Sequence, residues 1–403
     1  MKAVMYGGGN IGRGFIGMLL SQAGYEVTFV DVVDAVVDTL NREHQYPVRI
    51  LSNEGHTDVE VRNVCAVNGN DQEKVADAIA DADIMATAVG ARILKFIVPN
   101  IVAGLRKRWA MGKEPLNIII CENLMDANKV LEGMLKEQLT EEEKSLFDET
   151  VGLVEASIGR MVPVQTEEMK EGDPMRVCVE SYGFLPVDKA AFKGEIPDIK
   201  GMVPFAPFDF YIKRKLYLHN MSHATCAYLG DLLGLEYIYQ AIDVADIRVI
   251  VQSAMLESAA ALSKKYDVVL DGILAHMEDL LFRFTNQALK DTCARVGGDP
   301  ARKLSPEDRL IGSSKLVLET GNVPAYIAVG AAAGLWRFVR EKELVQSEEN
   351  AMALLLETSG LEQDSQLTSL IMDMYRMLLA GATPADLRRA AEQKKAAWRS
   401  GVI

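Results

Sequence analysis

The sequence predicts an α/β domain built on a doubly wound parallel sheet, followed by a mostly α-helical domain. Three observations carry this. Short apolar runs alternate with helical stretches through the first half, the pattern of parallel strands joined by crossover helices. A glycine-rich turn, Gly7 to Gly12, separates the first apolar run from the first helix. The second half has no such runs and is rich in Leu, Ala, Met and Glu at helical spacing. At 403 residues the chain is long enough for two cores, and the expected domains are residues 1–190 and 191–403.

Taken in order, Lys2–Tyr6 reads as a strand and Ile11–Ala23 as a helix with an apolar stripe. Glu26–Val30, Ile84–Ala88 and the β-branched run Leu116–Ile120 read as further buried strands, with others near Val151–Val154 and Met175–Ser181. Between Val187 and Phe208 lie three prolines and two glycines without helical periodicity, which predicts a linker. Leu216–Leu233, Ala241–Lys264, Leu270–Leu289 and Leu367–Leu379 then read as helices. Thr383-Pro384 opens a charged terminal helix, a cap followed by proline in the first turn. A sheet domain followed by a helical one leads us to expect a site in the cleft between them.

Composition narrows the function classes. Hydrophobic residues at 49% and charged residues at 25% match a soluble globular protein. A net charge of -14 argues against a nucleic-acid partner, which requires clustered Lys and Arg. It leaves room for a small anionic substrate, which needs only local cations. The five cysteines are scattered, with no CxxC pair, so neither a disulfide framework nor a cysteine zinc site is expected. Reduced thiols in a cytoplasm fit that usage. The first residues enter a strand directly, without a charged-then-apolar leader, and no apolar run is long enough to span a membrane.

Gly7, Gly9 and Gly12 form a GxGxxG motif, with Asn10 and Ile11 inside it, between a strand and a helix. The first glycine permits the tight turn and the second lets backbone approach a pyrophosphate. The third lets the helix pack closely, aiming its N-terminal amides at the phosphates. Asp31 ends the second strand about 20 residues on, where a carboxylate binds ribose hydroxyls and repels a 2′-phosphate. The motif therefore predicts a Rossmann-like domain that binds NAD rather than NADP. Ala88 and Val89, after a later strand, either line the nicotinamide half of that cofactor or form an ordinary strand-to-helix turn.

The most informative segment after the glycine turn is Lys213–Ala224, KRKLYLHNMSHA. On an α-helical wheel starting from Lys215, His219, His223 and Asn220 fall within about 140° of the lysine, while Tyr217, Met221 and Leu218 lie opposite. Such a face either presents several polar groups to one small ligand or is a solvated basic surface. His219 and His223, four apart, also have metal-ligand spacing, but no third ligand follows in a recognisable pattern, and no metal is expected.

Lys215, Asn220 and His223 match the K-x4-N-x2-H signature of the polyol-specific long-chain dehydrogenase family, which this chain resembles. The opening GGGNIGRGFIG is similar to that of the family's phosphate-using branch. So are CENLMDAN (Cys121–Asn128), GRMVP (Gly159–Pro163) and RVGGDPARKLSPEDRLI (Arg295–Ile311). The resemblance implies a metal-independent, NAD-dependent oxidoreductase with Lys215 as general acid/base. It further implies Asn123 and Asn220 as amide donors to the developing alkoxide, His223 as the residue orienting the hydroxyl, and Arg295 as a substrate-binding arginine. Arg214 precedes the base, as in branches that handle anionic sugars. A lysine base has an ordinary pKa of about 10.4, and burial together with Arg214 is expected to lower it. Arg302, Lys303 and Arg309 either clamp a phosphate or form a solvated basic turn.

Three departures from the family pattern bear on the substrate. Gly159 stands where the family has aspartate, His219 replaces an apolar residue and adds a second cation, and Gln287 replaces a proline. The expected reaction is interconversion of D-mannitol 1-phosphate and D-fructose 6-phosphate by a cytoplasmic monomer or weak oligomer, with neither nucleic acid nor membrane as partner. The alternatives are reduction of a keto-uronate, such as tagaturonate or fructuronate, and a non-catalytic NAD-binding protein. The β-hydroxyacid dehydrogenases also use a lysine near an asparagine, but at a shorter spacing.

Overall fold

The computed structural model describes residues 1–401. The chain forms two compact units that divide between Asp209 and Phe210, later than residue 190.

The first unit is organised by a six-stranded parallel sheet. Its strands are β1 (Lys2–Tyr6), β2 (Glu26–Asp31), β5 (Val64–Asn68), β6 (Ile84–Thr87), β7 (Leu116–Ile120) and β8 (Val151–Glu155), in the order β5-β2-β1-β6-β7-β8. Alternate residues of a strand face opposite sides, and here both sides are covered. Ala3, Met5 and Ile119 enter one apolar cluster with Phe15 and Phe29. Val4, Tyr6, Ile118 and Ile120 enter the other with Ile101 and Leu131. That two-sided burial is why β7 reads as an unbroken apolar run. The strand order reverses between β1 and β6, the place where α/β sheets bind ligands at the carboxyl ends of their strands.

The remaining strands depart from expectation. β3 (Gln45–Ser52) and β4 (Gly55–Arg62) form an antiparallel hairpin, and β9 (Val177–Glu180) pairs with β3 in this separate sheet rather than in the main one. The segment expected as a linker contains a parallel pair, β10 (Leu185–Asp188) with β11 (Met202–Phe205). Pro186 and Pro204 are tolerated in these strands because a two-stranded sheet consists entirely of edges.

The second unit is helical. Its centre is the helix Ala325–Glu341, buried along nearly its whole length. A Cβ at Gly330 would lie 2.2 Å from Thr225 Oγ1, and one at Gly334 would lie 2.9 Å from the Tyr228 ring. These glycines let the helix Met221–Leu232 dock at backbone distance, which fixes the element carrying His223. Periodicity ran on through two helix ends. The expected Ala241–Lys264 helix breaks at Val244, whose backbone is extended, and the Leu270 helix stops at Phe284. The terminal helix Pro384–Arg399 starts as expected, with a reciprocal cap between Thr383 and Asp386. Its Lys395 reaches buried Glu257 at 3.0 Å, and that carboxylate also accepts the Tyr326 and Ile327 amides that open the central helix. Burial pushes Glu257 up to about 7, against the pull of Lys395 and the amides. Among the described residues no helix is long and apolar enough to cross a membrane.

Candidate active site

At the cofactor turn the glycines are required by space. Gly7 has φ +104, and a Cβ there would lie 2.6 Å from Ala88 O. A Cβ at Gly12 would lie 1.9 Å from Gly7 O, whereas one at Gly9 would meet nothing within 4 Å. The turn is therefore closed from below and open above the central glycine, as a pyrophosphate cradle must be. Asp31 accepts the Gly8 amide at 2.7 Å on one oxygen and the Val33 amide at 2.9 Å on the other. Each oxygen keeps a lone pair for a ribose hydroxyl. Buried Arg13 donates to Gly8 O at 2.6 Å and to Met175 O at 2.6 Å, bracing the turn from behind. Asn10 and Ile11 begin the helix, and Ala88 and Val89 follow β6 beside Gly7. These donors and this open space fit a dinucleotide.

Both motif helices contain a turn wider than an α-helix. Gly12–Gly17 and Lys215–Asn220 are π-helical, with the Met221 amide bonding back to Leu216 O. The α-helical period expected for Lys213–Ala224 therefore does not hold across Lys215–Asn220. In an i→i+5 turn, residue 220 lies one turn on from residue 215, so Asn220 moves to the lysine's side. The carbonyls of such a turn gain outside donors. Ser258 Oγ donates to Tyr217 O at 2.7 Å, and Tyr46 OH donates to Arg13 O at 2.8 Å in the other turn.

Burial first, then the charge of Arg309, pushes the Lys215 amine down to about 8. The expected second cause, Arg214, is not the one found. Its guanidinium stacks on the Tyr211 ring, 4.5 Å from the centroid, and its field falls on His276. His219 is buried, and desolvation with Arg283 and the neighbouring histidines holds it well below the ordinary histidine range. It is neutral near pH 7 and does not add the second cation expected. His276 is likewise depressed, to about 2, by burial and then by Arg214 and Arg283.

Asp291 was missed in the sequence. Its Oδ2 approaches His223 Nε2 at 3.1 Å, off the line of a good hydrogen bond, and its Oδ1 accepts from Arg295 Nε at 2.9 Å. Burial pushes this carboxyl up, but His223 and Arg295 outweigh it and hold it below its usual range. The His223 ring stacks on Phe284 with centroids 4.8 Å apart. Imidazole orientation is thus set by one carboxylate and one ring, neither legible from the motif. The Asn220 amide has no partner among the described residues, and Asn123 lies exposed just beyond β7.

The basic stretch resolves residue by residue. Arg302 is exposed and paired with Asp299 at 2.8 Å. Lys303 is buried, and its amine has no hydrogen bond or ion pair among the described residues. Burial and then Arg309 push it down to about 8. Arg309 contacts Asp308 through Nε at 2.7 Å, and the Tyr228 hydroxyl is buried without a partner. Of the departures, Gly159 has a packing cause, because a Cβ there would lie 2.9 Å from the Tyr182 ring. Gln287 starts a single 3-10 turn capped by Asn286. Among the described residues no three His, Cys, Asp or Glu side chains converge as metal ligands.

Known proteins resemble this chain in both of its halves. The family model described as the mannitol dehydrogenase Rossmann domain matches residues 1–201, and that of the mannitol dehydrogenase C-terminal domain matches 208–377. The chain is 38% identical over 384 residues to a mannitol-1-phosphate 5-dehydrogenase of Thermoanaerobacter pseudethanolicus, covering 94% of this chain and 98% of the relative. It is 36% identical over 379 residues to the enzyme of that name from Bacillus licheniformis, covering 92% and 99%. Two solved structures share the fold at 15% identity, each covering 96% of this chain and 94% of its own. They are a substrate-free D-sorbitol dehydrogenase, with a TM-score of 0.81, and a Pseudomonas fluorescens mannitol 2-dehydrogenase with NAD and D-mannitol, with a TM-score of 0.75. With both its halves matched in order, the chain belongs to the mannitol dehydrogenase family.

Proposed function

We propose that this chain is an NAD-dependent dehydrogenase that interconverts D-mannitol 1-phosphate and D-fructose 6-phosphate, with Lys215 as its general acid/base. The observation that carries the reading is a lysine on a π-helical turn whose amine is pushed down to about 8, close to the pH at which a base must both take and return a proton. The cofactor supplies hydride acceptance in one direction and hydride in the other. In the oxidative direction the neutral Lys215 Nζ takes the alcohol proton as the C–H hydride departs. The amides of Asn220 and Asn123 donate to the oxygen as negative charge develops there. His223, oriented by Asp291 and Phe284, donates to or accepts from the same hydroxyl. In the reductive direction the lysine ammonium protonates the nascent alkoxide. At the cofactor turn, Gly7, Gly9, Asn10, Ile11 and Gly12 carry the phosphates, Asp31 the ribose, and Ala88 and Val89 the nicotinamide half.

For the substrate phosphate, the cations in reach of one another are Lys303 and Arg309, with the Tyr228 hydroxyl as a third donor. Lys303 and that hydroxyl are buried without partners, and a dianion satisfies both. Arg295 and Arg214 remain substrate-binding residues in this reading, Arg295 with its charge shared by Asp291. The five free cysteines suit a reducing cytoplasm, and the chain acts as a monomer or weak oligomer without nucleic acid or membrane. The test is NADH consumption with fructose 6-phosphate beside unphosphorylated fructose. Strong preference for the phosphate is expected. Turnover of tagaturonate or fructuronate instead would move the reading to a keto-uronate reductase, and no turnover of any of them would leave an NAD-binding protein without this chemistry.

A further inference from the structure

The turns that follow β6 and β7 meet at one side chain that the chemistry above does not use. Glu122, between the end of β7 and Asn123, is 7% exposed. One of its carboxylate oxygens accepts Thr87 Oγ1 at 2.7 Å and the other accepts the Val89 amide at 3.0 Å. Thr87 ends β6 and is itself fully buried. No lysine or arginine pairs with Glu122 among the described residues. Burial pushes its carboxyl up, while the Thr87 hydroxyl and the amides of Val89, Glu122 and Cys121 pull it back.

Its position in the sheet says what it faces. The strand order reverses between β1 and β6, and a dinucleotide lies across the carboxyl ends of the strands at such a point. Asp31, at the end of β2, belongs to the half on one side of the Gly7 turn. In such a sheet the other half would lie on the side of β6 and β7, the strands followed by Thr87–Val89 and Glu122. A buried carboxylate without a cation is costly, and the nicotinamide ring is a cation in NAD+ and neutral in NADH. The hydrogen bonds that fix Glu122 also hold its charge in place, so no reorganisation is needed when the ring changes its charge.

We propose that Glu122 sets the relative affinity for the two cofactor forms, presenting a fixed negative charge to the nicotinamide half and favouring NAD+ over NADH. The inference rests on NAD binding at the glycine turn and is independent of which sugar is the substrate. It is tested on the full chain without sugar, by fluorescence titration of NADH and calorimetric titration of NAD+. Glu122→Gln retains both hydrogen bonds, its oxygen accepting from Val89 and its amide donating to the Thr87 hydroxyl, while removing the charge. The Kd for NAD+ is expected to rise about tenfold, with that for NADH within about twofold. Equal weakening of both forms would mark Glu122 as a packing residue and overturn the proposal, as would no change in either. Glu122→Asp, which keeps a carboxylate, extends the test should Glu122→Gln fail to fold. It is expected to favour NAD+ over NADH as the wild type does even if both Kd values move, and loss of that preference overturns the proposal.

Discussion

At Gly12–Gly17 the helix widens in a glycine-rich stretch, with Gly12, Gly14 and Gly17 among its six residues, and at Lys215–Asn220 it widens where no glycine is present. The first turn is set by backbone space, since a single methyl group at Gly12 would collide with Gly7 O. The second gathers a lysine, a histidine and an asparagine within six residues, with His223 just beyond. Each turn has a carbonyl held by a hydroxyl from a neighbouring element, Tyr46 in the first and Ser258 in the second. The same backbone device therefore serves two purposes. One lets the first helix close against Gly7 O, and the other brings residues five apart onto one side.

The largest effect is expected at the lysine turn. Lys215→Met should lower kcat in both directions by about 10²–10⁴ and leave NADH affinity unchanged, as read by fluorescence titration. If NADH affinity falls as well, the two turns do not divide binding from proton transfer. At the glycine-rich turn, Gly12→Ala should show the reverse pattern, with NADH binding lost and stability lowered by about 1–3 kcal/mol. Wild-type NADH affinity in that variant would mean that space is not what the first turn provides.

Titration sharpens the contrast further. With Lys215 at about 8, the neutral base needed for oxidation accumulates as pH rises. Oxidative kcat/KM should climb about tenfold per unit below that value and level off above it. Reductive kcat/KM should hold at low pH and fall through the same value, and cofactor affinity should show neither limb. The smallest effects belong to the hydroxyl donors. Tyr46→Phe and Ser258→Ala should each cost about 1 kcal/mol of stability in a denaturant melt. The first should weaken NADH binding at constant kcat, and the second should lower kcat at constant NADH affinity.

Much of the molecule was legible in local sequence. Strands β1, β2, β6, β7 and β8 fall where apolar runs placed them, because a strand buried on both faces has no polar positions to blur it. The terminal helix announces itself with Thr383-Pro384. The hairpin β3–β4 was missed for the converse reason, since β4 is largely exposed and offers almost no apolar pattern. The breaks at Val244 and Phe284 were missed because helical periodicity continues across them.

The site divides in the same way. Residue type and spacing alone pointed to the glycine turn and Asp31, because a turn and a strand end are built from neighbours in sequence, whereas the lysine motif rested on its resemblance to the family signature. Tertiary structure decided the rest. It supplied Arg309 rather than Arg214 as the charge acting on Lys215, held His219 neutral, placed Asp291 and Phe284 around His223, and left Lys303 buried without a partner. It also closed Thr87, Val89 and Glu122 into one hydrogen-bonded unit. Desolvation and Coulomb energy depend on which atoms surround a group in space, and residues brought together from distant stretches of chain leave no periodic trace in the sequence.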